Sequence, residues 1–230
     1  MVHNILKPTA RGLGIKLAKM KVVANLCSIQ NREFSVIASN CTGTLPYRFL
    51  KIPYATPTAN LLFYAPCYLK FIKNLEYYLA QPLRFTAQSR YPRGEKTRQE
   101  HEHFFPIGVL DDIEVHFMHY HSESDAVEKW ERRKKRINFD NMIFAFTDKD
   151  LCTPELIREF DAIEHPNKYV LTANPMPEIR SAIHVPYFTG QSEIGDCYTN
   201  YNHLSHIDFR KLVDKPVTRE QPQPVLYASQ

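Results

Sequence analysis

The chain reads as an α/β protein with a mixed or mostly parallel sheet, helices on both faces, and a single domain. Three observations predict this. The apolar runs "FSVIASN" (34–40), "NMIFAF" (141–146) and "KYVLTA" (168–173) have strand length and no polar alternation, as in strands covered on both faces. Between them stand segments with apolar residues at helical spacing. From Phe34 to Pro186 the two kinds alternate, which is the order of a layered α/β domain. A chain of 230 residues suits one such domain and buries roughly 70% of its unfolded surface.

Taken in order, residues 1–31 hold a basic amphipathic helix, 32–212 the α/β domain, and 213–230 a flexible Pro- and Gln-rich tail. In "RGLGIKLAKMKVVANL" (11–26), Leu13, Leu17, Met20, Val23 and Leu26 share a face, ringed by Arg11, Lys16, Lys19 and Lys21. Such a helix either covers the domain or lies on an anionic membrane surface. After the first strand, "CTGTLPY" is a loop, Leu61–Tyr64 a short strand, and Pro66–Leu79 a helix with proline in its first turn. A strand follows near Leu83–Phe85. The polar segment "AQSRYPRGEKTRQEHEHF" (87–104) has no periodicity and is expected to be a mobile loop or lid. "FFPIGVLDDIEVHFMHY" (104–120) breaks near Gly108 and gives a strand over Ile113–Tyr120.

Ser122 and Asp125 form a helix-starting capping box. Val127, Trp130 and Ile137 make that helix's apolar stripe. Asp125–Lys129, Glu128–Arg132 and Glu131–Lys135 pair along it, and the "RRKKR" run suits its C-terminal dipole. Asn138 ends it. The strand "NMIFAF" leads into the loop "TDKD" (147–150). Thr153 caps the next helix, with Pro154 in its first position. After "KYVLTA", "PEIRSA" (177–182) reads as a short helix, "IHVP" (183–186) as a strand or turn, and Thr199–Phe209 as a last helix.

Composition excludes several classes. The net charge is only +4, and no basic run is interleaved with aromatics, which argues against nucleic-acid binding. The five cysteines, Cys27, Cys41, Cys67, Cys152 and Cys197, form no C-x-x-C pair. That argues against a zinc ribbon or disulfide framework and for reduced thiols in a cytoplasmic protein. No secretory leader and no apolar run of about 20 residues is seen.

Four stretches resemble a known bacterial family, the exopolysaccharide biosynthesis proteins of domain of unknown function 1919. They are the turn "ASNCTGT", the segment "GVLDDIEVHFMHY", the helix "DAVEKWERRKKRIN" and the loop "TDKD", spread over Arg32–Val185. The resemblance implies an α/β domain serving surface-polysaccharide loci. One departure stands out: the family pattern has a second glycine after Gly43, where this chain has Thr44.

Three places carry candidate chemistry. Ser39, Asn40, Cys41, Thr42 and Gly43 follow a buried strand, where backbone amides can cradle an anion and Cys41 could be a nucleophile. The turn is similar to G-N-C turns in polysaccharide-associated proteins that handle acyl groups or coenzyme A. The alternative is a structural turn with a buried thiol. Asp148 and Asp150, a D-x-D after an apolar strand, resemble the motif with which one glycosyltransferase class holds Mg or Mn against a nucleotide sugar. They also suit an ordinary loop. In "DDIEVHFMHYHSES" (111–124), strand alternation puts Asp112, Glu114 and His116 on one face and His119 on the other. His116, His119 and His121 therefore cannot share one ion without a bulge, and no metal site is assigned. One histidine, His116 or His119, remains a candidate acid/base, beside the alternative of hydrogen-bonded core histidines.

These residues point to a cytoplasmic transferase of cell-surface polysaccharide (exopolysaccharide, capsule or lipopolysaccharide) biosynthesis. Its donor would be an activated sugar or acyl group and its acceptor a glycan. Cys41, His116, His119 and Asp148 are the candidate catalytic groups. Ser39, Asn40, Thr42, Gly43, Asp112 and Asp150 are the candidate substrate-binding groups. The alternative is a non-enzymatic assembly factor in peripheral contact with the inner membrane surface.

Overall fold

A parallel sheet and a smaller antiparallel sheet meet at one corner of the molecule. The structure, a computed structural model, describes residues 20–102, 104–197 and 202–213. The parallel sheet has the order β1 (Ser35–Ala38), β5 (Met142–Thr147), β6 (Lys168–Thr172), β7 (Ala182–His184). All three pairings are parallel, with Val36 opposite Ile143 and Ala145 opposite Tyr169. The second sheet is β2 (Arg84–Thr86), β3 (Ile107–Leu110) and β4 (Ile113–His116), antiparallel throughout. The fold is thus a mixed α/β single domain.

Alternation along the parallel strands builds two cores. Ile37, Phe144, Phe146 and Val170 face one way. There they pack with α3 (Ala65–Lys73), α4 (Leu75–Ala80), α6 (Glu123–Lys134) and α7 (Pro154–Asp161). Val36, Ala38, Ile143, Ala145, Tyr169 and Leu171 face the other way. They pack against helix α1 (20–27), α2 (Leu45–Leu50) and α8 (Phe209–Val213). Apolar burial on both faces is the main favourable term, about 25 cal/mol per Å².

Several elements differ from the sequence reading, each for a physical reason. In α1 it is Val22 and Leu26 that enter the core, with Ile29 just beyond the helix. Met20 and Val23 are 61% and 44% exposed, so the buried stripe is rotated from the one expected. The part of the expected helix before residue 20, and the tail from residue 214 onward, lie outside the described residues. Leu61–Tyr64 makes one bridge only, Leu62 with His116. Together with the Phe63 N–H donating to Ser39 O at 2.7 Å, it stitches the two sheets together. Pro66–Leu79 is two helices, broken at Asn74.

The expected lid contains α5 (Pro92–Glu100), with Pro92 in its first turn. Its helicity was hidden because it has almost no apolar face. The chain reverses at Asp111-Asp112, with Asp111 at φ 53°, and not at Gly108, which lies inside β3. A Cβ at Gly108 would sit 2.6 Å from Leu83 Cδ1. β4 stops at His116, short of Tyr120.

Ser122 and Thr153 cap α6 and α7 as read. Asp125–Lys129 and Glu128–Arg132 form, whereas Glu131 pairs with Lys134 instead of Lys135. Arg133 is not part of the solvated helix end: it is buried and donates to Ala59 O at 3.2 Å. "PEIRSA" is turns running into β7. In the last expected helix, the described part is a 3₁₀ turn, Asn202–His206, before α8. No helix among the described residues is long and apolar enough to cross a membrane.

Candidate active site

Because β1 and β5 pair in parallel, the segments that leave them emerge side by side at the carboxyl end of the sheet, where α/β proteins place their sites. After β1, Asn40 caps a 3₁₀ turn, Cys41–Thr44. After β5 come Lys149 and Asp150. Asn40 ties the two loops together, its Nδ2 donating to Thr147 Oγ1 at 2.9 Å and approaching Asp150 Oδ2 at 3.5 Å. A third wall, Ile194–Cys197, comes from the segment beyond β7. Leu61, Leu62 and Tyr64 form a fourth side, with Arg93 and Thr97 of α5 and with Met118 and His119 beyond β4. Together these enclose a cavity of about 220 Å³.

Backbone strain concentrates here. Asp150 and Leu151 have φ of 60° and 65°. Two successive left-handed non-glycine residues cost about 1–2 kcal/mol each. The conformation is held by the Ala65 N–H, which donates to Asp150 O at 2.9 Å. Burial raises the Asp150 carboxyl above its ordinary value, opposed by the charges of Lys149 and Arg93 and by the Asn40 amide. Burial likewise raises the Cys41 thiol, again opposed by Lys149, so Cys41 rests as a neutral thiol at pH 7. Cys197 faces the same cavity, and burial pushes it up to about 12.

Of the residues read from the sequence, Asn40, Cys41, Thr42, His119 and Asp150 line this one cavity. The others do different work. His116 is 1% exposed, with Nε2 3.3 Å from Glu114 Oε2 and its ring in a T-shaped contact with Tyr64, centroids 5.1 Å apart. The alternation that paired Glu114 with His116 holds within β4. His119 escapes that alternation because the strand has ended, and so it reaches the cavity. Asp148 turns away: its two oxygens accept the backbone N–H groups of Ala173 (2.6 Å) and Ile194 (2.8 Å). Asp112 lies at the β3–β4 turn, held by Lys70 and Tyr78. Ser39 is buried, its carbonyl bonded to Phe63.

Two of the turn's amides are used within it. The Thr42 N–H goes to Asn40 Oδ1 at 3.2 Å and the Gly43 N–H to Asn40 O at 3.4 Å. Gly43 is required by packing, since a Cβ there would lie 2.3 Å from Ala38 Cβ. Thr44 sits at φ −85°, ψ −17°, a region open to any residue. It donates its hydroxyl to Cys41 O at 2.7 Å. The departure from the family's second glycine is therefore accommodated without strain.

With Asp148 spent on backbone amides, Asp148 and Asp150 cannot together clamp a cation, and the residues do not fit a D-x-D metal site. Among the described residues no group of three or more His, Cys, Asp or Glu side chains is placed to hold a metal ion. Sequence reasoning missed Lys149, Arg93, Tyr64, Asp196 and Cys197, all at the cavity. Lys149 stood inside the quoted "TDKD". Arg93 could have been found from Pro92, a helix-start signal within the supposed lid.

Fold and site together define a single-domain α/β protein with a mixed polar and apolar cleft at the carboxyl end of its parallel sheet. The chain belongs to the family described as Domain of unknown function (DUF1919), whose model matches residues 15–215. A Haemophilus influenzae protein described as uncharacterized is 35% identical over 170 residues, covering 74% of this chain and 76% of that protein.

Proposed function

We propose that the protein is a transferase of bacterial cell-surface polysaccharide biosynthesis, moving an activated sugar or acyl group onto a glycan hydroxyl. The observation that carries this reading is the convergence of Cys41, His119 and Asp150, from three separate segments, on one cavity. Asp150 is half-buried, strained and raised in pKa, as suits a general base that takes the acceptor's hydroxyl proton. Leu61, Leu62, Met118 and Ile194 offer the donor an apolar wall. Because Cys41 rests as a neutral thiol, direct transfer assisted by Asp150 is favoured over a covalent Cys41 intermediate. The polysaccharide setting rests on the likeness of the sequence motifs alone.

A thermal-shift screen of nucleotide sugars and acyl-coenzyme A thioesters is the test, followed by turnover of whichever donor binds. One donor class is expected to raise the melting temperature. Asp150→Asn is expected to keep that shift and to lower turnover by roughly 10²–10⁴-fold. If neither class stabilises the protein, the transferase reading fails. A second reading, a non-enzymatic membrane-surface or assembly factor, is favoured by exposed Met20 and Val23 on α1. Flotation with anionic liposomes, lost on deleting residues before Arg32, would support it.

A further inference from the structure

Two cations face the cavity, and they are held in different ways. Lys149 makes no ion pair and no side-chain hydrogen bond among the described residues, although it lies near enough to Asp150 and Cys41 to influence both. An ammonium in a partly apolar cleft, with no direct hydrogen bond or ion pair among the described residues, gains from a bound anion. Arg93 donates from Nη2 to Glu193 Oε1 at 2.9 Å. That bond crosses from α5 to the segment pinned by Asp148, so it bridges two walls of the cavity. Both partners are partly exposed, at 45% and 30%, and an ion pair in that setting is weak and replaceable. A guanidinium has five donors, and the fork geometry matches a phosphate better than a single carboxylate oxygen. The amides of Thr42 and Gly43 are already bonded within their turn, so those two are not offered to an anion.

We infer that Lys149 and Arg93 form an oxyanion subsite, gated by Glu193, that takes the phosphate or pyrophosphate of the activated donor. Asp150 and Asp196 also line the cavity, and the charges of Lys149 and Arg93 both reach Asp150, so a bound anion competes with that carboxylate for the two cations. The assignment of the anion to a donor rests on the transferase reading; the subsite itself does not. Nucleotide sugars and coenzyme A both carry a pyrophosphate, so the shared chemistry is the pyrophosphate group.

Calorimetric titration of the full chain with inorganic pyrophosphate is the test, with UDP and coenzyme A as separate arms to tell the two sources apart. The wild type is expected to bind pyrophosphate. Lys149→Ala and Arg93→Ala should each weaken binding at least about tenfold, the scale of one charge-assisted contact. Glu193→Gln should tighten it several-fold by releasing Arg93. Melting curves check folding, with Lys149→Met replacing a Lys149→Ala that fails to fold. The proposal is overturned if neither wild type nor E193Q binds pyrophosphate, or if folded K149 and R93 variants bind as the wild type does. Pyrophosphate binding without any donor response would leave the subsite standing and sink the transferase reading. Donor binding and Asp150-dependent turnover, untouched by the Lys149 and Arg93 variants, would do the reverse.

Discussion

Asp148 and Ile194 are joined by a hydrogen bond of 2.8 Å, in which the Ile194 N–H donates to Oδ1 across 46 positions of sequence. The other carboxylate oxygen takes the Ala173 N–H at 2.6 Å. One side chain at the end of β5 therefore fixes the end of β6 and a wall of the cavity. Asp148→Ala leaves both N–H groups without partners, at a cost of about 1–3 kcal/mol for each that water does not reach. Amide hydrogen exchange at Ala173 and Ile194 should speed up while exchange in β5 stays slow. Unchanged exchange at both amides would show that Asp148 is not the latch.

Gly43 packs against Ala38 so closely that any Cβ must displace it. Gly43→Ala is expected to destabilise by about 1–3 kcal/mol, the cost of overpacking a tight core. Pairing it with Ala38→Gly removes the clash, so the double variant should be less destabilised than the sum of the singles. Denaturant midpoints measure all three, and additive effects would place the cost in the backbone instead.

The Cys41 thiol is half-buried and its pKa is raised, whereas Cys27 is exposed. With iodoacetamide at pH 7.5, mass spectrometry should find Cys27 modified well before Cys41. Lys149→Ala should slow Cys41 further, because the ammonium is the main influence favouring its thiolate. Cys41 reacting first would reveal an activated nucleophile and restore the covalent acyl route.

Glu114 gives a pH signature. Burial opposes its ionisation, but the His116 imidazole 3.3 Å away and hydrogen bonds from Arg90 and Ser89 outweigh that and lower its pKa from 4.5 to about 2. A depressed carboxylate contributes stability that is complete above pH 4.5. That contribution is lost as pH falls from 4.5 toward 2, and linkage bounds it at about 3 kcal/mol. The stability difference between wild type and Glu114→Gln, from urea midpoints, should be largest above pH 4.5 and shrink through that window. A constant difference would mean that Glu114 acts by shape alone. Since Glu114 holds Ser89 and Arg90 at the entry to α5, the same variant should loosen the helix that carries Arg93.

By itself, the sequence determined the layered α/β order, the capped starts of α6 and α7, and the strands β1, β5 and β6. Those features are local: Ser122 and Thr153 bond within their own first turns, and continuous apolar runs mark strands covered on both faces. It also placed Asn40, Cys41, Thr42 and Asp150 as candidates, because polar residues just after buried strands gather at the sheet's carboxyl end, and His119 as a candidate acid/base within its expected strand. Only the tertiary structure decided which members of each motif face the cavity. Asp148 and Asp150 are two residues apart, yet one binds backbone amides donated by Ala173, just after β6, and by Ile194, while the other enters the cleft in a left-handed conformation. His116 and His119 part company because β4 ends between them, at a point set by its bridge to Leu62. Arg93 and Glu193 meet across 100 positions, and no local pattern encodes that contact. Such outcomes depend on hydrogen bonds and packing between segments far apart in the chain, which composition and periodicity do not record.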